Sequence, residues 1–182
     1  MKTSGVFGFL FVLMFLTISC GNEPGIQEYY VENLGNSDFI AMDIPANLLA
    51  NIKTPNADQK QILESIHKVN LLVYPLRNNK EMYQAEKVEL QKILKNENYQ
   101  LLMRYGSTLR KAEIYFIGDE SAVDEFILFG FDDSRGVGLA RILGEDMQPQ
   151  AMLNLLRSLK KGDLNVDGIR NIAQIFKRGR LK

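Results

Sequence analysis

Four strand-like segments follow one another in the second half of the chain, and this succession constrains the fold more than any other feature. The segments cover residues 99–105, 112–117, 125–131 and 137–143, and the sequences between them are short and rich in Gly, Asp and Ser. Connections of hairpin length join antiparallel neighbours, because parallel strands need a crossover of a dozen or more residues. The sequence therefore predicts an antiparallel meander.

The rest of the chain predicts helices and two further strands around this meander. Ile40, Met42 and Ile44 alternate as in a strand that ends at Pro45, and the apolar run 70–74 is typical of a buried strand. Helices are predicted near residues 27–34, over 57–67 and 79–96, and as a closing pair that carries Met152, Leu155, Leu156 and Leu159, then Ile169, Ile172, Ala173 and Phe176. This order predicts an α+β fold, with a mostly antiparallel mixed sheet, helices packed on it and a ferredoxin-like arrangement.

The N-terminal segment has the composition of a signal peptide. Lys2 precedes an apolar run over residues 6–16, which is well short of the roughly 20 residues that a membrane-spanning helix needs. Ser19 and Cys20 follow, and Cys20 is the only cysteine of the chain. The pattern resembles the bacterial lipobox, in which the cysteine is acylated with fatty acids such as palmitate, although Thr17 stands where an aliphatic residue is usual. Ordinary secretion, with Cys20 incidental, is the alternative.

Several further segments share the pattern of one protein family. They are Gln27-Glu28-Tyr29-Tyr30, residues 38–44, residues 99–103 and residues 126–131. Together with the lipobox, this pattern over residues 27–160 resembles the Bacteroidetes lipoproteins catalogued as domain of unknown function 4252. The resemblance implies an envelope lipoprotein, and it brings no established activity and no catalytic residue.

These features divide the chain into a signal peptide over residues 1–19, a polar tether over 20–26 and a single α+β domain over 27–182. Only one acid, Glu23, follows Cys20 closely, so the strong acidic surface-export signal of Bacteroidetes lipoproteins is missing. We therefore expect a lipid-anchored protein on the periplasmic side of the outer membrane. The membrane is then a partner through the anchor, and an envelope protein or a second copy of the chain is a further candidate partner.

The charge balance argues against nucleic acid as a partner. The chain carries 22 Lys and Arg residues and 22 Asp and Glu residues, for a net charge of zero with histidine neutral. A nucleic-acid-binding domain typically carries a basic excess that neutralises phosphates.

One segment resembles part of a metal-binding motif. Residues 163–168 match the first half of a calcium loop, with oxygen ligands at positions 1, 3 and 5 and a glycine at position 6. Position 12 is Gln174, which lacks the bidentate carboxylate of such loops. A helix stop followed by a helix cap explains the same residues. We therefore predict no metal site and no cofactor.

The sequence offers no catalytic residues. His67 is the only histidine, and we expect it at a helix end, where a cation is favourable against the helix dipole. Adjacent acids such as Asp132 and Asp133 fall in turn sequences, where carboxylates are ordinarily solvated. We expect a non-catalytic binding or interaction module, with an enzyme of unrecognised type as the alternative.

In the strands of the meander, apolar residues occur at both odd and even positions, and therefore on both faces of the predicted sheet. A half-solvated antiparallel sheet is polar on one set, so either helices cover both faces or one face is an interaction surface. The candidate interaction surface consists of Tyr115, Ile117, Phe129 and Phe131. The other interpretation, in which the first helix or the C-terminal segment packs on these residues, stays open at this point.

Overall fold

The computed structural model describes residues 24–45, 57–77 and 79–159. In chain order its elements are α1 (Ile26–Asn33), β1 (Ile40–Pro45), α2 (Ala57–Ser65), β2 (Ile66–Pro75), α3 (Lys80–Ile93), β3 (Gln100–Gly106), β4 (Arg110–Asp119), β5 (Ala122–Asp132), β6 (Gly136–Met147) and α4 (Pro149–Leu159). Every element predicted within these ranges is present. The second closing helix and the calcium-like segment lie outside the described residues.

The six strands form one sheet in the order β1-β2-β6-β5-β4-β3. Every neighbouring pair is antiparallel, so the α+β class is confirmed, while the sheet is antiparallel throughout and not mixed. The predicted meander runs from β3 to β6, and β2 adds to its β6 edge with β1 outside it. A ferredoxin-like arrangement is not confirmed.

Helices cover both faces of this sheet. α1 and α3 pack on one face, which we call the first face, and α2 and α4 pack on the other, the second face. The strands of the meander therefore send apolar side chains into two separate cores, which explains why neither alternating set is polar.

The junction between α2 and β2 differs from the prediction. The helix ends at Ser65, and β2 begins at Ile66, whose side chain packs in the core of the second face. His67, expected at a helix end, is instead an exposed residue of β2. The strand extends this far because β2 lies between two neighbours and pairs with β6 from Ile66 onward.

α3 carries the chain from β2 inside the sheet to β3 at its edge, across the first face. The helix begins after Asn79, whose side chain accepts a hydrogen bond from the Met82 backbone N–H at 3.0 Å, as an N-cap residue does. Tyr83, Leu90 and Ile93 are buried against the sheet.

Candidate functional site

The residues predicted as an interaction surface do not form one. Tyr115, Phe129 and Phe131 are only 8%, 1% and 6% exposed, and Ile117 packs against the same core. All four lie on the first face, under the layer formed by α1 and α3. The prediction of an exposed surface here is therefore wrong, because the burial of these large apolar side chains holds the two helices on the sheet.

A small concave site lies instead at one end of the sheet, where the β3–β4 hairpin meets α3. We call it the hairpin cleft. It has a volume of about 300 Å³ and is lined by Lys87, Gln91, Arg104, Tyr105, Gly106, Ser107, Thr108, Lys111 and Phe131. Four of these residues, 104–107, also line a wider, shallow depression that continues to Arg110 and the β5–β6 turn.

The hairpin turn that forms one wall of the cleft depends on Gly106. This residue has a φ of 124°, and a Cβ atom there would collide with the backbone carbonyl oxygen of Arg110. The Ser107 N–H donates to the same oxygen at 2.6 Å and closes the turn. The turn therefore holds Arg104 and Lys111 on neighbouring strands beside the cleft.

A buried carboxylate, Glu113, organises the cations on the sheet side of the cleft. Its Oε1 lies 2.5 Å from Arg104 Nε and 3.6 Å from Lys111 Nζ. The Tyr115 hydroxyl donates to Oε2 at 2.9 Å. Burial and this hydrogen bond raise the pKa of Tyr115 to about 12, so the phenol stays protonated at neutral pH.

A second carboxylate, Asp133, holds the cation contributed by α3. Its Oδ1 accepts hydrogen bonds from Lys87 Nζ at 2.7 Å and from the Tyr83 hydroxyl at 2.5 Å. These bonds lower the pKa of Asp133, whereas burial and the bond to Asp133 raise the pKa of Tyr83. Lys87 Nζ also lies 3.7 Å from the centroid of the Phe131 ring, close enough for a cation–π interaction.

The residues around the hairpin end carry an excess of positive charge. The cations are Lys87, Arg104, Arg110, Lys111 and Arg135, and the carboxylates that pair with them are Glu113, Asp132 and Asp133. Five cations against three carboxylates leave two net positive charges. The arrangement favours anions, because opposite charges attract most strongly where the surface is concave and partly desolvated.

A separate polar network lies under α1 on the first face. Arg141 and Glu125 form a bidentate ion pair, with Nε–Oε1 and Nη2–Oε2 distances of 2.6 and 2.9 Å, and Asn70 donates to Asp43. The Tyr30 hydroxyl donates to Asp43 at 2.6 Å. Within the described part of the chain, no buried side-chain nitrogen or oxygen lacks a partner. The network is therefore satisfied internally and joins α1 to the sheet.

The other residues singled out from the sequence are not brought to the cleft as a group. His67 lies at the Gly144 end of the β2–β6 pair, whereas the cleft lies toward the Gly136 end. Asp133 is beside the cleft, engaged by Lys87. Cys20 lies outside the described residues.

Two findings concern metals and membranes. Across residues 24–45, 57–77 and 79–159, no group of three or more His, Cys, Asp or Glu side chains is placed to hold a metal ion. Among the helices of the same ranges, none has the length and apolar character to cross a membrane.

Sequence reasoning missed the cleft. Arg104 and Lys111 flank a recognisable turn sequence, and Glu113 directly precedes the apolar run 114–117 of β4, so these signals were visible. Lys87 and Gln91 reach the cleft only through the packing of α3, which no local pattern reveals.

The fold and the cleft define the protein as an α+β domain built on one antiparallel sheet, with helices on both faces and a cationic cleft at one sheet end. The chain belongs to the family described as Domain of unknown function (DUF4252), whose model matches residues 29–155. Searches of curated proteins and of solved structures find no match to this chain.

Proposed function

We propose that this protein is a lipid-anchored binding module of the cell envelope, without catalytic activity, on the periplasmic side of the outer membrane. The observation that carries the proposal is the short stretch of sequence between the lipobox-like Cys20 and the first helix of the folded domain. α1 begins at Ile26, and its backbone N–H donates to the Tyr99 hydroxyl at 2.9 Å, so the domain starts beside the entry to β3.

A short tether then limits how far the domain can lie from the membrane. Gly25 lies five positions after Cys20, and a fully extended chain of that length spans at most about 18 Å. An acylated Cys20 therefore holds the Tyr99 end of the domain close to the lipid head groups. A tether of this length does not permit a distant position.

The hairpin cleft lies at the other end of β3. This strand runs for seven residues from Gln100 to Gly106, which corresponds to about 20 Å. The cleft therefore lies about 20 Å along β3 from the Tyr99 end, where the tether joins the domain. This position suits a module that binds a ligand or partner from solution.

The ionisable groups at the cleft fit binding better than acid–base catalysis. A general acid or base works best with a pKa near the operating pH. Asp133 has a lowered pKa, and Tyr83 and Tyr115 have raised ones, so all three keep one protonation state around neutrality. An enzyme remains the second interpretation of the sequence, and no contact among the described residues favours it.

Fatty-acid labelling tests the anchor. The full chain, expressed in a bacterial host, should incorporate a fatty-acid probe, and Cys20→Ala should remove the label and release the protein from the membrane fraction. Ser19→Ala is the matched control, because alanine is also usual before the lipobox cysteine, and this variant should stay labelled. Label on Cys20→Ala would refute the anchor.

Protease added to intact cells tests the side of the membrane. A protein on the periplasmic side should be protected until the outer membrane is permeabilised. Digestion on intact cells would place the domain on the outer surface instead.

A further inference from the structure

We infer that the hairpin cleft binds the oxyanion of a small solute, a phosphoryl or carboxylate group attached to a flat apolar body. This inference deepens the proposed function, because it names the chemistry of the ligand that the module would take from solution. The argument rests on the charge of the cleft, on its hydrogen-bond donors and on its aromatic residues.

The cations of the cleft are held in place while part of their charge stays accessible. Glu113 fixes Arg104 through Nε, yet the Arg104 side chain is 57% exposed, and Lys111 lies 3.6 Å from the same carboxylate with 29% of its side chain exposed. A pre-positioned cation loses little conformational freedom when it binds an anion. Both residues therefore suit an oxyanion, and arginine in particular matches the fork of a carboxylate or phosphoryl group.

Uncharged donors complete the polar wall. Gln91 on α3 and Thr108 in the hairpin turn line the cleft, and neither side chain makes a hydrogen bond or ion pair within the described ranges. Their amide and hydroxyl groups are available to oxygen atoms of a ligand that the cations attract.

Aromatic residues give the cleft its apolar side. Phe131 lies beneath Lys87, and Tyr105 is 68% exposed at the rim. An exposed tyrosine ring beside cations provides a surface against which a flat apolar group can stack. The volume of about 300 Å³ lies at the small end of ligand sites, so the ligand is a small molecule.

A lipid head group carries the same phosphoryl chemistry as a solute. The position of the cleft favours the solute, because the tether holds the opposite end of β3 near the membrane. The experiment must therefore separate the two sources of the anion.

The test uses the full chain in nanodiscs of phosphatidylcholine, with phenyl phosphate as the probe in calorimetric titrations. Saturable binding is expected for phenyl phosphate and not for phenol, which has the ring without the charge. Lys111→Gln should weaken binding about tenfold, as expected for the loss of one charge-assisted hydrogen bond. Lys60→Gln, which removes an exposed lysine of α2 on the second face, is the matched control and should bind as the wild type does.

A second variant tests the cleft at a position where a change should not affect folding. Thr108→Val changes an exposed turn residue without changing charge, and it should weaken binding a few-fold while circular dichroism stays unchanged. Replacing part of the phosphatidylcholine with phosphatidylglycerol should leave the affinity for phenyl phosphate unchanged.

Four results would overturn the inference: no saturable binding of phenyl phosphate, equal binding of phenol, an equal loss in Lys111→Gln and Lys60→Gln, or competition by phosphatidylglycerol. The last result would identify a lipid head group as the source of the anion. Acylation is measured separately by the fatty-acid label. The absence of label on the wild-type chain, with phenyl phosphate binding intact, would refute the anchor and not the oxyanion site.

Discussion

The ion pair between Arg141 and Glu125 gives a quantitative test of the polar network that lies under α1. Arg141 is 5% exposed and lies on β6, an inner strand of the sheet, where its guanidinium makes two short bonds to Glu125 of β5 and one weak bond to Gln27 of α1. Removal of one member of such a buried pair leaves the other charge without its partner. This loss typically costs 3–5 kcal/mol.

We expect Arg141→Met to lower the free energy of unfolding by about 4 kcal/mol. Methionine keeps most of the aliphatic length of arginine. The lost free energy of unfolding therefore measures mainly the cost of leaving the Glu125 carboxylate buried without its partner. In the double variant Arg141→Met with Glu125→Leu, both charges are gone. Buried pairs replaced by apolar residues are often neutral, so the double variant should recover to within about 1 kcal/mol of the wild type.

Urea unfolding followed by circular dichroism measures both values. For a slope of about 2 kcal/mol/M, the single variant should shift the midpoint down by about 2 M, with the slope unchanged. If the double variant is as unstable as the single one, the cost does not come from an unpaired charge. If the single variant loses less than about 1 kcal/mol, the pair is far more solvated than its burial indicates.

Three further predictions follow from the same contacts and from the sequence. Phe129→Asp should lower the free energy of unfolding in urea by about 4 kcal/mol or more, because it buries an unpaired carboxylate. Leu109→Asp at an exposed position is the control and should change this free energy by about 0.5 kcal/mol or less. A stable Phe129→Asp protein would contradict the burial of the first face. The pKa of Asp133 is lower in the folded protein than its unfolded value of 3.8, so its ion pair stabilises the fold above that value and this stabilisation is lost as the pH falls through the folded pKa. The difference in stability between the wild type and Asp133→Asn should therefore close below about pH 4 in acid titrations. A difference that does not change with pH would refute this. Calorimetry on the full chain should detect no saturable calcium binding below about 1 mM; a signal that Asp163→Ala removes would prove the calcium prediction wrong.

Local patterns in the sequence were sufficient for the elements and their class. Period-two alternation in β1, short turns between β3 and β6, and helical spacing in α3 and α4 each depend on neighbours a few residues apart, so they are readable without a structure. The α+β class follows from their order. Residues 66–69 were harder, because the helix was predicted to reach residue 67 and the strand to begin at 70, whereas pairing with β6 extends β2 back to Ile66.

Which faces of the sheet are covered was determined by tertiary packing. Alternation assigned Tyr115, Ile117, Phe129 and Phe131 to one face, but the same pattern suits an exposed patch and a second core equally. Only the packing of α1 and α3 on that face distinguishes them. The physical reason is that hydrophobic burial is non-directional, and a sequence pattern does not say which element supplies the covering surface.

The candidate site also depends on long-range packing. Arg104, Lys111 and Glu113 lie within one hairpin, so the sequence alone determined that these charges would be neighbours once the turn formed. Lys87 joins them only because α3 crosses the first face and is held there by Asp133 of the β5–β6 turn. That contact spans 46 positions of the chain, and its free energy depends on a desolvated geometry that no local pattern encodes.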